Sequence, residues 1–118
     1  MNKIILWLVT LFWTWLTLYL TTIPNFSPAP DTLFSWLISN GGHFFFFGVL
    51  AGLLHFLLIQ YSLFSWHYSL VPVSLYGLLI EYIQLGVPGR SYDLKDWVLD
   101  TLGAITFLFF LKKLQSKL

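Results

Sequence analysis

Long apolar runs separated by short polar segments dominate the pattern of this chain. Four runs of mainly apolar residues lie at about 4–22, 43–59, 70–86 and 96–114. Each run is close to the roughly 20 residues that an α-helix needs to cross a bilayer. The runs are continuous, whereas the strands of a membrane barrel would alternate between apolar and polar residues. The pattern therefore predicts an all-α membrane protein with four transmembrane helices in a compact bundle.

The connection between the first two runs divides into two parts. Its first part, "TTIPNFSPAP", is rich in Pro and Ser and is expected to be extended. The second part is apolar again and follows Asp31, a suitable N-cap, which predicts a short helix in the membrane interface near residues 31–39. No internal repeat or low-complexity tract is evident. Residues 1–118 are therefore predicted to form a single domain.

The composition indicates that lipid is the solvent of this chain. Of 118 residues, 58% are hydrophobic and 9% are charged, whereas a soluble domain carries about 25% charged residues. So few polar groups would leave the surface of a soluble protein uncovered. The chain has no cysteine, which excludes disulfides, iron–sulfur clusters and thiolate zinc sites. No basic patch supports nucleic-acid binding.

The distribution of lysine and arginine predicts the orientation in the membrane. The basic residues near the two termini are Lys3, Lys112, Lys113 and Lys117. The connection after the first run has no basic residue, and Arg90 and Lys95 in the last connection are offset by neighbouring aspartates. Both termini are therefore predicted to be cytoplasmic, and the last connection is predicted to face the extracytoplasmic side.

Polar residues from three of the runs are predicted to lie at one level of the membrane. In this orientation His43 starts the second run at the outer surface. Glu81 lies roughly 8 Å deeper in the membrane than the outer end of the third run. Asp100, in the fourth run, lies roughly 10 Å deeper than Asp93. The sequence therefore predicts that these groups meet in the outer leaflet.

The spacing of the polar residues places them on shared helix faces. Asp93, Asp96 and Asp100 are spaced i, i+3, i+7, and Glu81 and Gln84 are spaced i, i+3. A carboxylate inside a bilayer costs about 2.5 to 3.5 kcal/mol even on the lenient insertion scale. Both faces are therefore expected to point into the bundle.

Structural explanations stand beside the functional ones. Asp93 would equally serve as the N-cap of the fourth helix. His55, roughly 18 Å along its helix from His43, is expected to form a hydrogen bond with another helix. The buried carboxylates would also form an ion-pair network with Arg90 that only fixes the helix register, although buried pairs are seldom needed for stability.

A linked set of residues carries a family resemblance. The matching residues are His43 in "GHFFFFGVLAGLL", Glu81 and Gln84 as E-x-x-Q, Pro88 to Arg90 as PGR, and Asp96, Asp100 and Gly103 as D-x-x-x-N/D-x-x-G. Over residues 40–110 the chain resembles the VanZ-like family, small four-span proteins named for a member linked to teicoplanin resistance. The chain has Ser39 and Asn40 where many members have an Asp-Lys pair, and Asp100 where many have Asn. The resemblance implies an architecture and an outward-facing site more than a reaction.

Two classes of function are open, and the first is a site for a lipid-linked envelope precursor or a phospholipid head group. The hypothetical catalytic residues are His43 as acid and Glu81 or Asp96 as base, and the hypothetical substrate-binding residues are Gln84, Arg90, Asp93 and Asp100. Alternatively, a divalent metal would bridge to the phosphate, with ligands from His43, Glu81, Asp96 and Asp100. The five carboxylates of the chain are all predicted on the outer side. An anionic ligand would therefore need a proton or a metal as well.

The second class is a non-catalytic membrane scaffold or drug-shielding subunit, in which the polar residues only fix helix packing. The chain has no G-x-S-x-G, H-E-x-x-H or P-loop signature, so whether it is an enzyme stays open. The lack of inverted repeats argues against a transporter. Homo-oligomerisation is a further open question.

Overall fold

The fold is a bundle of α-helices. A computed structural model describes residues 2–23, 33–89 and 93–117. Within these ranges there are four helices and no strand: α1 (Lys3–Thr22), α2 (Leu33–Ile59), α3 (His67–Gln84) and α4 (Leu94–Ser116). The predicted all-α class is confirmed, and each apolar run of the sequence contributes to one helix.

Two of the helices are apolar and long enough to cross a membrane. They are α1 over Lys3–Thr22 and the part of α2 over Leu37–Ile59. The polar and charged residues of α3 and α4, among them Glu81 and Asp100, lower the hydropathy of those helices. The four-span arrangement therefore stays a prediction.

The N-terminal end of α2 differs from the prediction. The prediction of a separate short helix near residues 31–39 is wrong for the described residues from Leu33 onward. These residues form the first turns of α2, which continues to Ile59. Residues 31 and 32 lie outside the described ranges. Gly41 and Gly42 do not interrupt the helix, since a helical glycine costs only about 1 kcal/mol whereas a broken backbone hydrogen bond in an apolar setting costs several.

Close packing of α2 against α4 organises the bundle, and α2 also contacts α1 and α3. A Cβ atom on Gly103 of α4 would overlap the backbone carbonyl of Phe44 on α2. A Cβ atom on Gly48 of α2 would overlap the ring of Phe107 on α4. The two glycines thus allow the two helices to approach more closely than any larger residue would permit.

The core of the bundle is small and is surrounded by exposed apolar residues. Its buried members come from α2, α3 and α4 and are Phe47, Leu50, Ala51, Val73, Ile80, Ala104 and Leu108. Large apolar side chains are exposed on all four helices, including Phe12, Phe45, Leu75 and Phe109. An exposed apolar surface on every helix is the arrangement that a lipid environment favours.

Directed hydrogen bonds attach α1 to the other helices. The indole Nε1–H of Trp13 donates to the carbonyl oxygen of Phe46 at 2.9 Å, and the two rings stack with centroids 4.8 Å apart. The hydroxyl of Tyr76 on α3 donates to the carbonyl oxygen of Thr14 at 2.8 Å. Because apolar contact gives helices little reason to associate in lipid, such bonds help to position α1.

Tyr76→Phe is expected to lower the free energy of unfolding by about 0.5 to 1 kcal/mol, since it removes one interhelical hydrogen bond. Tyr82→Phe is the matched control on the same helix, because the Tyr82 side chain is 70% exposed. Unfolding in mixed micelles measures both variants. Equal stability of the two variants would contradict a role for the Tyr76 hydroxyl in holding α1.

Candidate functional site

A histidine–aspartate pair lies at the centre of the candidate site. His43 of α2 approaches Asp100 of α4 with 2.7 Å between His43 Nδ1 and Asp100 Oδ1. When Asp100 is ionised its carboxylate only accepts hydrogen bonds, so Nδ1 carries the hydrogen. Phe44 lies next to His43, and Gly103 lies one turn after Asp100, so the close approach of these two backbones brings the two side chains together.

Asp96 lies on the other side of the imidazole. Its Oδ2 is 3.6 Å from His43 Nε2, so the two ring nitrogens face two carboxylates from successive turns of α4. Asp96 lies in the first turn of α4, where the helix dipole favours a negative charge. The exposed fractions of the side chains are 0% for Asp100, 10% for His43 and 19% for Asp96. The pair is therefore accessible from the Asp96 side.

Glu81 is the residue of α3 that lies beside the His43–Asp100 pair. The residue is fully buried, and its Oε2 accepts a hydrogen bond from the backbone N–H of Asp93 at 3.0 Å. Asp93 is the N-cap of α4, and its side chain accepts from the N–H of Lys95 at 2.9 Å. The structural explanation of Asp93 as a helix cap is thus confirmed.

The structure brings together four of the predicted site residues, which we call the polar cluster: His43, Glu81, Asp96 and Asp100. His43, Glu81 and Asp100 each offer a nitrogen or oxygen atom, and these atoms all lie within 4.8 Å of one another. Two oxygens, Glu81 Oε1 and Asp100 Oδ2, are buried without a hydrogen-bond partner in the described part of the chain. Buried polar atoms without a partner are rare, and an unseen ion or ligand is one explanation for them.

Another predicted site residue, Gln84, forms its hydrogen bond with α1. The side-chain amide of Gln84 donates to the carbonyl oxygen of Thr21 at 2.6 Å, which attaches α3 to α1. Arg90 lies outside the described residues. The catalytic and substrate-binding roles of all the predicted residues stay predictions.

Gly77 is a residue that the sequence analysis missed. A Cβ atom at this position would lie 2.8 Å from Asp100 Oδ2 and 3.3 Å from the ring of Phe47, so only glycine lets α3 lie this close to Asp100. Gly77, Glu81 and Gln84 are spaced i, i+4, i+7 on one face of α3. A search for glycine as well as polar residues on this face of α3 would have identified Gly77.

A second group of missed contacts joins α3 to α4 beside the cluster. The indole Nε1–H of Trp97 donates to the carbonyl oxygen of Ser74 at 3.0 Å. The hydroxyls of Ser74 and Thr101 are 2.9 Å apart. These bonds flank Asp100 in sequence and add polar contacts between α3 and α4.

The charges of the polar cluster are unequal. Three carboxyl groups surround one imidazole, and His43 is the one member of the polar cluster that can carry a positive charge. Carboxylates in a low dielectric must be paired, protonated or bound to a cation. An imidazole between carboxylates can relay a proton or, with them, hold a metal ion.

A comparison with protein families gives a match to VanZ/LLP1 over residues 4–115, nearly the whole chain. The chain belongs to this family. The VanZ/LLP1 match confirms the resemblance carried by the sequence motifs and, with the two apolar helices, indicates a membrane protein. Comparisons with curated proteins and with solved structures gave no match.

Proposed function

We propose that this VanZ/LLP1 protein is a four-span protein of the cell membrane that binds the anionic head group of a lipid at the outer leaflet. The ligand is a lipid-linked envelope precursor or a phospholipid. The observation that carries the proposal is the full burial of two carboxyl groups, those of Glu81 and Asp100, beside His43 within the helix bundle.

The ends of the helices support this topology. Helices of 20, 27, 18 and 23 residues have lengths of roughly 27 to 40 Å, which suits a hydrocarbon core of about 30 Å. The polar cluster lies where α3 ends and α4 begins. Of the lysines of the termini, Lys3 begins α1, Lys112 and Lys113 lie in the last turns of α4, and Lys117 follows that helix directly. By the positive-inside rule the lysine end is cytoplasmic, and the polar cluster faces the extracytoplasmic side.

The cost of the polar cluster favours a ligand over a purely structural role. A buried ion pair is often no more stable than apolar residues of similar volume, so stability alone gives little reason to keep one. A purely structural role also gives no reason for Glu81 Oε1 and Asp100 Oδ2, which are buried without a partner among the described residues. A ligand or ion that meets these atoms accounts for both features.

The accessible side of the polar cluster suits a lipid head group. His43 and Asp96 are the partly exposed members, and they lie near the end of the bundle, where head groups begin. The surrounding helices expose large apolar side chains that acyl or polyprenyl chains would contact. His43 with Asp96 or Glu81 would supply acid–base chemistry if the lipid is modified as well as bound.

Lipids that co-purify with the protein in polymer-excised membrane discs test the proposal. An anionic lipid is expected to be enriched about tenfold over the bulk membrane, equivalent to about 1.4 kcal/mol of preference, and to lose this enrichment in Glu81→Gln and His43→Ala. His67→Ala is the matched control, because His67 is exposed at the start of α3. Mass spectrometry that finds the bulk lipid proportions in all four proteins would overturn the proposal.

A non-catalytic scaffold or drug-shielding subunit is the second candidate. The bonds from Gln84 to Thr21 and from Asp93 to Glu81 favour it, because both join helices without involving a ligand. Teicoplanin susceptibility of cells that express His43→Ala or Arg90→Lys separates the candidates. Loss of a protective effect at normal expression supports a site, and no change supports a scaffold.

A further inference from the structure

We propose that His43, Glu81 and Asp100 form a binding site for a divalent transition-metal ion, Zn²⁺ or Mn²⁺. The three ligands come from α2, α3 and α4, so the ion would join three helices. Metal binding by these residues stands on the structure alone. A bridge from the metal to a lipid phosphate rests additionally on the proposed function.

The separation of the ligand atoms suits such an ion. Two ligands at about 2.1 Å from a metal lie about 3.0 Å apart at a right angle and at most about 4.2 Å apart. The atoms offered by the three residues lie within 4.8 Å of one another, so small side-chain movements suffice. His43 Nδ1 and Asp100 Oδ1, at 2.7 Å, are already close to the right-angle separation. An ion bound to Nδ1 would displace the hydrogen shared with Asp100, which a neutral imidazole would then carry on Nε2 and an imidazolium would release to solvent.

The unpartnered oxygens provide an independent indication of a ligand. Each buried carboxylate has one oxygen in a hydrogen bond that orients it: Glu81 Oε2 to the N–H of Asp93, and Asp100 Oδ1 to the imidazole. The second oxygen of each has no partner in the ranges that the structure describes. Asp100 Oδ2 lies close to Gly77, in space that a larger side chain would fill. Gly77 lies on α3, one turn before Glu81. Glu81 would thus offer Oε1 to the ion while its Oε2 keeps the bond to Asp93. The ion would replace the bond between Asp100 and the imidazole, and Asp100 Oδ2 is a further oxygen that lacks a partner in the described ranges.

The donor set selects the class of metal. One imidazole and two carboxylates suit Zn²⁺ or Mn²⁺, whereas Mg²⁺ and Ca²⁺ favour oxygen ligands alone. The chain has no cysteine that would favour Cu(I) or a structural zinc site. A charge of +2 would balance the two buried carboxylates.

Three protein ligands leave at least one coordination position open. A water molecule or a phosphate oxygen would occupy it, entering past His43 and Asp96. The metal would let an acidic polar cluster bind an anion, since its +2 charge adds to the single positive charge that His43 can carry.

Titration calorimetry with ZnCl₂ and MnCl₂ on chelator-treated, delipidated protein tests the site. The protein should carry no histidine tag. About one ion per chain is expected to bind to the unaltered protein. Glu81→Gln, Asp100→Asn and His43→Ala are each expected to weaken binding at least about tenfold, and His67→Ala is expected to bind as the unaltered protein does. Absence of binding, or equal binding by all variants, would overturn the inference.

Spectroscopy of the unaltered protein keeps the test informative if a variant fails to fold. Co²⁺ bound in this donor set should give visible absorption of a nitrogen and oxygen site, and Mn²⁺ should give hyperfine coupling to one imidazole nitrogen. Spectra of hydrated ions alone would overturn the inference. Metal binding without enrichment of an anionic lipid would support the metal site and contradict the proposed function. Lipid enrichment without metal binding would support the proposed function and contradict the metal site.

Discussion

Gly103→Ala is expected to push α2 and α4 apart and to separate His43 from Asp100. The added Cβ atom would overlap the backbone carbonyl of Phe44, and a backbone atom moves aside less easily than the end of a flexible side chain. Overpacking of a core costs about 1 to 3 kcal/mol, and we expect the upper end of this range or more. Unfolding in mixed micelles measures the loss of stability, and lipid co-purification measures the loss of the site.

Gly42→Ala on α2 is the matched control for this substitution. Apart from its chain neighbours and the backbone of its own helix, no atom of the described residues lies within 4 Å of the position that its Cβ atom would take. Alanine has a higher helix propensity than glycine by about 1 kcal/mol, so this variant should be at least as stable as the unaltered protein. If Gly103→Ala were equally stable and kept its lipid, the close approach of the two helices would not be what forms the site.

The double variant His43→Phe/Asp100→Ala is expected to be nearly as stable as the unaltered protein and to bind neither lipid nor metal. Phenylalanine adds about the volume that alanine removes, and apolar replacement of a buried pair is often neutral or stabilising. His43→Phe alone leaves Asp100 buried without its partner and is expected to cost about 3 to 5 kcal/mol. A recovery of stability in the double variant without recovery of binding would identify the pair as functional.

The hydroxyl pair beside the polar cluster provides the control for the double variant. Ser74→Ala/Thr101→Val removes a neighbouring polar contact between α3 and α4 and should leave binding unchanged. A double His43/Asp100 variant that stays as unstable as His43→Phe would contradict a functional role. In that outcome the pair holds the helices together, as the scaffold candidate requires.

The helices and the convergence of His43, Glu81, Asp96 and Asp100 could be predicted from the sequence for simple physical reasons. Long apolar runs can satisfy their backbone only as helices in lipid, which fixes the positions of α1, α3 and α4 to within a few residues. The i, i+3, i+7 spacing of the aspartates and the high cost of a lipid-facing carboxylate place Asp96 and Asp100 inside the bundle. Glu81 follows by the same reasoning.

The pairings within the polar cluster could not be predicted in the same way. Asp96 and Asp100 differ by about 6 Å along α4, and the closer contact of His43 with Asp100 depends on the register of α4 against α2. That register depends on the contact between Gly103 and Phe44, which no periodicity of a single sequence reveals. The bond of Gln84 to α1 depends in the same way on a neighbour that sequence spacing does not specify.

The pairing of His43 with Asp100 also affects the order in which the chain can mature. The two residues are 57 positions apart, whereas Glu81 and the N–H of Asp93 are 12 apart and can meet as soon as the hairpin of α3 and α4 forms. During synthesis α2 is therefore made before the aspartates that His43 contacts, and both of these aspartates belong to α4. A chain that stops before α4 would lack both of these contacts.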